Sequence, residues 1–245
     1  MKLRLLQARN PGDIVREEER QAFAEKLGIP VDDVLGYDLL SQELTVDAVT
    51  DGVDGVLVGG SGEYAIYDDA PFIRPFVDLL GELCARRVPT FASCFGFQGL
   101  VVALGGRVGP GGDAGEVGSF QLERLEQAKA DPVFRHLPDQ FVAQQGHKDV
   151  AQVMPDSTVN MARSDQCPHQ ALRVVGAPVF ATQFHPELSH LQNRQRFERY
   201  LELYEGVFGR AQAHKMLDDF VPSPEASDLL RHFADLLRRG ALTSG

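Results

Sequence analysis

Three residues have the types and order of a thiol-dependent acyl-transfer site: Cys94 in "FASCFGFQGL", and His185 and Glu187 in "TQFHPEL". A thiolate attacking an amide carbonyl needs a base to manage its proton, and the base needs a third group to fix its tautomer. Cysteine, histidine and carboxylate match those tasks. A lone cysteine is more often a small buried hydrophobe, and a lone His-Pro-Glu more often a strand end beside a solvated acid, so the surroundings must decide.

Cys94 follows the strand-like "VPTFAS" and precedes a helix-like "FGFQGLVVALGG". That is the layout of a nucleophile elbow, whose sharp turn exposes the reactive atom and demands small residues two before and two after it. Ala92 and Gly96 satisfy the demand. The helix N-terminus would favour thiolate over thiol at the sulfur. Residues i and i+2 of an extended segment share a face, so His185 and Glu187 lie close together, while Pro186 stops the strand. Sites in parallel α/β sheets form outside the carboxyl ends of the strands, where both segments would converge.

Two further pieces accompany them. "GVLVGGSGEYAIYDD" breaks from a strand into Gly59, Gly60, Ser61 and Gly62, whose backbone N–H groups could stabilise an oxyanion with the N–H of Phe95. No G-K-[ST] follows, which argues against a phosphate loop. In "QQGHKDVAQVMP", His147 and Asp149 invite a metal reading, but no second histidine stands at ligand spacing, and His136, His169 and His190 are scattered. No metal or other cofactor is expected. The segment reads as a substrate-facing or structural loop.

The elements that must position these residues alternate. Short apolar runs at 2–6, 55–60, 88–93 and 178–184 read as buried strands, with helices over 17–27, ended by Gly28 and Pro30, and over 71–87. The first half thus reads β-α-β-α-β. Between about 107 and 184, "EVGSFQLERL", "QFVAQQG", "STVNMARS" and "ALRVVG" read as partly antiparallel strands. Beyond residue 190 the pattern is helical. It is clearest in "SPEASDLLRHFADLLRRG", where Ser223 could cap, Pro224 suits the first turn and Gly240 stops the helix.

Composition bounds the rest. The chain has 245 residues, 43% of them hydrophobic, enough for one large domain with a sizeable core. A net charge of −11 repels phosphate backbones, so nucleic acid is not an expected partner. No apolar stretch approaches a membrane span, no leader is expected, and three cysteines suggest a reduced cytoplasmic protein without disulfides.

The four pieces, in this order, resemble the class I glutamine amidotransferases. The likeness covers about residues 45 to 190, with "ASCFGFQ" against the family's G-x-C-x-G-x-Q, "GHKDV" against its Ser-His-x-Asp-like loop and "TQFHPE" against its Q-F-H-P-E. The resemblance implies a flavodoxin-like three-layer α/β domain over 1–192 with a mostly parallel central sheet, and a C-terminal helical extension over 193–245. It implies that Cys94 attacks the γ-amide of glutamine, giving a γ-glutamyl thioester and ammonia. His185 would be the general acid/base and Glu187 its orienter. The N–H groups of Gly60 and Phe95 would form the oxyanion hole, and Gln98, Gly146 and His147 would hold the glutamyl group.

Departures from the family pattern touch substrate choice more than chemistry. Ala92 replaces a glycine, Ser61 stands where proline is common, Phe97 where histidine is frequent, and Gly146 replaces a serine. The tail is too small for a nucleotide-using acceptor domain, so an acceptor would be a synthetase subunit in trans. A γ-glutamyl peptidase would use the same thioester chemistry with another leaving amine, and a non-catalytic regulatory protein would keep only the fold. The C-terminal helices either cover the domain or form a homodimer contact.

Overall fold

The computed structural model describes residues 1–242. Its first half runs β1 (Leu3–Gln7), α1 (Val15–Leu27), β2 (Val34–Asp38), α2 (Val46–Thr50), β3 (Gly55–Val58), α3 (Ile73–Ala85), β4 (Thr90–Ser93) and α4 (Phe95–Ala103). Seven strands follow: β5 (Arg107–Pro110), β6 (Glu116–Arg124), β7 (Gln140–His147), β8 (Asp149–Val153), β9 (Thr158–Ser164), β10 (Ala171–Val174) and β11 (Val179–Thr182). Helices α5 (His190–Arg199), α6 (Leu201–Phe208), α7 (Arg210–Met216) and α8 (Pro224–Arg238) complete the described chain.

Nine strands form one sheet in the order β2-β1-β3-β4-β11-β10-β9-β6-β7, and β5 pairs with β8 separately. The strands from β2 through β11 run parallel, and β10, β9, β6 and β7 add antiparallel pairs. The parallel part is the three-layer α/β architecture expected from the alternating runs. Two of the strands that the sequence reading lacks are instructive. β2, "VLGYD", is an edge strand with only two of its five residues buried, so it lacks a fully apolar run. β8 grows out of the presumed loop at 147–149 and pairs with β5.

Period-two alternation in the strands builds two cores. Val56, Val58 and Ala92 face one side, against Phe76, Leu79 and Leu80 of α3 and Phe97 and Leu100 of α4. Leu57 and Phe91 face the other, against Phe23 and Leu27 of α1 and Leu229, Leu230 and Phe233 of α8. Phe233 meets Phe91 and Phe180 edge-on at centroid distances of 5.7 and 6.0 Å. Helix α8 therefore fills the sheet face beside α1.

The ends of α8 differ in part from expectation. Pro224 occupies the first turn and Gly240 takes a left-handed conformation (φ 65°) beyond the last, but Ser223 makes no capping bond. Its hydroxyl instead accepts from Gln144 Nε2 at 3.1 Å. The last three residues of the expected extension lie outside the described residues.

Helix α8 also stacks His232 on His136, with ring centroids 3.8 Å apart. Both imidazoles titrate below their ordinary value, chiefly through burial, helped by Arg135 at His136 and by His136 at His232, with Asp228 and Asp235 opposing. A group whose folded pKa is depressed contributes stability above its unfolded pKa and loses it as pH falls through the folded value. The melting temperature is therefore expected to drop as pH falls below about 6.5, and to drop less in His232→Gln. An identical slope in the variant would refute the coupling.

Candidate active site

Cys94 sits where β4 turns into α4, with φ 49° and ψ −98°. A non-glycine residue at positive φ is strained, and here the strain projects the side chain above the sheet edge. The turn is pinned from the neighbouring strand, since the Cys94 N–H donates to Thr182 O at 2.8 Å. A Cβ on Gly96 would lie 2.7 Å from Val58 Cβ and 3.0 Å from Ala92 Cβ. Glycine at 96 is what makes room for the methyl at 92.

His185 leaves the end of β11 with its N–H donating to Gln144 O at 2.9 Å. Its Nδ1 lies 2.6 Å from Glu187 Oε1, and both side chains are buried. Burial works against charge on each. It is outweighed at His185 by the Glu187 carboxylate and by the charge and hydrogen bond of Cys94, which push the imidazole pKa up. At Glu187 the same burial is outweighed by His185 and, to a smaller extent, Arg196, which hold the carboxyl below its usual range. The three side chains are thus brought together as an acid, an imidazole and a sulfur in series.

Gln183 was not among the residues expected to act, although it stands inside "TQFHPE". Its Nε2 reaches 3.8 Å from Cys94 Sγ. Gln98, expected to hold substrate, lines the cavity beside Cys94 and donates to Gln183 Oε1 (3.2 Å) and to Asp149 O (3.1 Å). It orders the groups around the sulfur, and its amide hydrogens are already engaged.

The oxyanion donors differ from one another. Phe95 is the first residue of α4, so its N–H has no intrahelical acceptor. Gly60 lies beside the site, where an added Cβ would meet His185 Cε1 at 2.9 Å. Its N–H, however, donates to Glu19 Oε1 at 3.2 Å, and becomes available to an oxyanion only if the peptide between Gly59 and Gly60 turns. Glu19 of α1 is fully buried beneath the glycine turn, where it also accepts from Arg9 (2.9 Å) and Gln7 (3.0 Å). Nothing in "VREEERQAF" separates this acid from its solvated neighbours.

His147 and Gly146 line the same cavity as Cys94. His147 is buried, with Nδ1 3.1 Å from Asp149 O and Nε2 3.3 Å from Glu116 Oε2, so both ring nitrogens are engaged within the protein. Gly146 pairs with Val117 in the β6–β7 ladder, and a side chain there would start 3.5 Å from His185 Nε2. Among the described residues no group of three or more His, Cys, Asp or Glu side chains could hold a metal ion, and no helix is long and apolar enough to cross a membrane. The cavity measures about 570 Å³, and Phe197 of α5, Tyr200 and Tyr204 of α6 contribute to its wall.

The three cysteines are free, and their environments differ. Burial pushes the Cys84 thiol up to about 12 and the Cys167 thiol up to about 11. Iodoacetamide at neutral pH is expected to add one group to the folded protein, at Cys94, because only the thiolate reacts. Peptide mapping that finds Cys84 or Cys167 modified first would contradict this.

Comparison with known proteins agrees with the geometry. The sequence model of the family "Glutamine amidotransferase class-I" matches residues 25–201. The chain is 27% identical to one of the subunits of the glutamine-hydrolyzing GMP synthase of Methanothrix thermoacetophila, over 67% of this chain and 83% of that one. It is 29% identical to the glutamine-hydrolyzing GMP synthase of Thermosipho melanesiensis, over 67% of this chain but only 30% of that longer one. The fold is similar to a glutamine amidotransferase from Thermotoga maritima (TM-score 0.69, 19% identity, 100% of both chains). It is also similar to one from Methylobacillus flagellatus (TM-score 0.64, 20% identity, 97% of this chain and 93% of that one). With that family model spanning β2 through α5, both strand ends and the glycine turn, the chain belongs to the class I glutamine amidotransferases, enzymes of the glutaminase type.

Proposed function

We propose that Cys94, His185 and Glu187 are the catalytic triad of a glutamine-hydrolysing reaction. The observation that carries the reading is Cys94 at a strained elbow, backed by an imidazole bound at 2.6 Å to a buried carboxylate. The sulfur attacks the γ-carbonyl of glutamine. His185 protonates the departing nitrogen, ammonia leaves, and a γ-glutamyl thioester remains. The neutral imidazole then takes a proton from water, whose oxygen attacks the thioester, and glutamate is released with Cys94 restored. Glu187 keeps the imidazole in the tautomer that presents Nε2 to these proton transfers. The Phe95 N–H, joined by Gly60 once released from Glu19, stabilises each oxyanion.

Ammonia then passes to an acceptor held by a separate synthetase subunit. Two comparisons support this: one relative is named as a subunit of GMP synthase, and a longer GMP synthase is matched over only 30% of its length. A γ-glutamyl amide with a larger leaving amine is a second reading, favoured by a cavity of about 570 Å³, within the range that holds drug-sized ligands. A panel of glutamine, γ-glutamyl amides and γ-glutamyl dipeptides tests both. Preferred turnover of glutamine supports the first and preferred turnover of the dipeptides the second. Turnover of neither by the folded protein would overturn the assignment.

A further inference from the structure

The catalytic cavity holds a cation that no carboxylate of the described residues pairs by direct contact. Arg9 is paired with Glu19 at 2.9 Å, and His185 with Glu187 at 2.6 Å, so the two buried carboxylates near the triad are committed. Arg196 of α5 also lines the cavity and is partly buried; it feels the charges of Glu19, Glu187 and Glu18, yet among the described residues its side chain makes no direct ion pair or hydrogen bond. Lys148, which also lines the cavity, is solvent-exposed, where water satisfies its ammonium. Carboxylates that act on a half-buried guanidinium only from a distance leave its N–H groups without acceptors, and a carboxylate arriving beside it supplies them through paired hydrogen bonds.

A γ-glutamyl substrate brings such a carboxylate, and the residues expected to hold it offer no positive charge. Gln98 spends its amide on Gln183 and Asp149, His147 spends both ring nitrogens on Asp149 and Glu116, and Gly146 is engaged in the β6–β7 ladder. Arg196, by contrast, is delivered by a fixed helix. Ser189 and Gln192 close a capping box at the start of α5, and Asn193 donates to Gln145 O at 3.1 Å. At the other end Arg199 pairs with Glu18 of α1 at 3.0 Å.

We propose that Arg196 binds the α-carboxylate of the γ-glutamyl substrate and thereby selects γ-glutamyl compounds over simple amides. The proposal rests on the functional reading above. An arginine suits the task because its planar fork meets both carboxylate oxygens and its rigid geometry fixes the γ-carbonyl relative to Cys94.

Three amides separate this role from others. Glutamine carries both the α-carboxylate and the α-amine, glutaramic acid keeps only the carboxylate, and 4-aminobutanamide keeps only the amine. In Arg196→Met, kcat/KM for the first two is expected to fall roughly 10- to 100-fold, mainly through KM, with 4-aminobutanamide little affected and Arg196→Lys intermediate. Equal losses on all three would overturn the proposal, because a positioning role through Glu187 gives that result.

Labelling provides a readout without turnover. The diazoketone analogue of glutamine, 6-diazo-5-oxo-norleucine, alkylates a nucleophilic thiol and retains the α-carboxylate. Its half-saturating concentration for Cys94 should rise in Arg196→Met, while the iodoacetamide rate and melting temperature stay unchanged. An unchanged half-saturating concentration would refute the role of Arg196. Failure of the wild-type chain to hydrolyse any γ-glutamyl amide would instead refute the functional reading.

Discussion

Cys94→Ala is expected to abolish ammonia release from glutamine, by about 10⁴-fold or more, since loss of a nucleophile removes the covalent route entirely. The substitution is mild structurally. Alanine carries the same Cβ at the same positive φ, and what the substitution removes at Cys94 Sγ is the long contact to Gln183 and the bond with His185. The melting temperature should therefore stay close to wild type, which separates lost chemistry from lost fold. Ammonia measured in a coupled assay, together with mass spectrometry for the γ-glutamyl adduct, checks the result. Persisting turnover, or an adduct on Cys84 or Cys167, would remove Cys94 from the mechanism.

Glu187→Gln should lower kcat by about 10²- to 10⁴-fold, the range seen when the orienting acid of a triad becomes an amide. The side chain keeps its volume, but it no longer carries the charge that sits 2.6 Å from His185 Nδ1. The sign of the accompanying pH effect follows. In the wild type that carboxylate is the foremost influence opposing burial, so the imidazole holds its proton to higher pH than an ordinary histidine. In the variant burial is left with less opposition, and the limb of the pH–rate profile belonging to His185 moves to lower pH. A profile that stays in place while kcat falls would show that Glu187 orients the ring without setting its charge.

The parts of this site that could be read from the sequence are those in which chemistry and local backbone share a motif. Cys94 came with its small neighbours, and His185, Pro186 and Glu187 came as a strand end whose geometry requires no distant element. The remaining groups act over long sequence separations. Glu19 reaches the glycine turn from α1, and Arg196 reaches the cavity from α5, yet each lies in a run of charged residues that reads as a solvated face. Burial by tertiary contacts gives such residues their roles, and no hydrophobic period records it. The same limit explains β2 and β8: one is a half-exposed edge strand and the other a short partner of β5. His147 illustrates the converse case, a conspicuous histidine whose nitrogens are both occupied by the protein.

The position of α8 sets an order for folding during synthesis. Every residue of the proposed triad is in place on the nascent chain once Glu187 has left the ribosome, yet Phe91 and Phe180 lack the cover that Phe233 provides until 46 further residues (233 minus 187) have followed. Over that interval the apolar face beside α1 is open to water and to other chains, the circumstance in which incompletely folded domains aggregate. Shielding of the sheet therefore comes after the chemistry has been encoded, and the last helix serves as the step that makes the earlier ones durable.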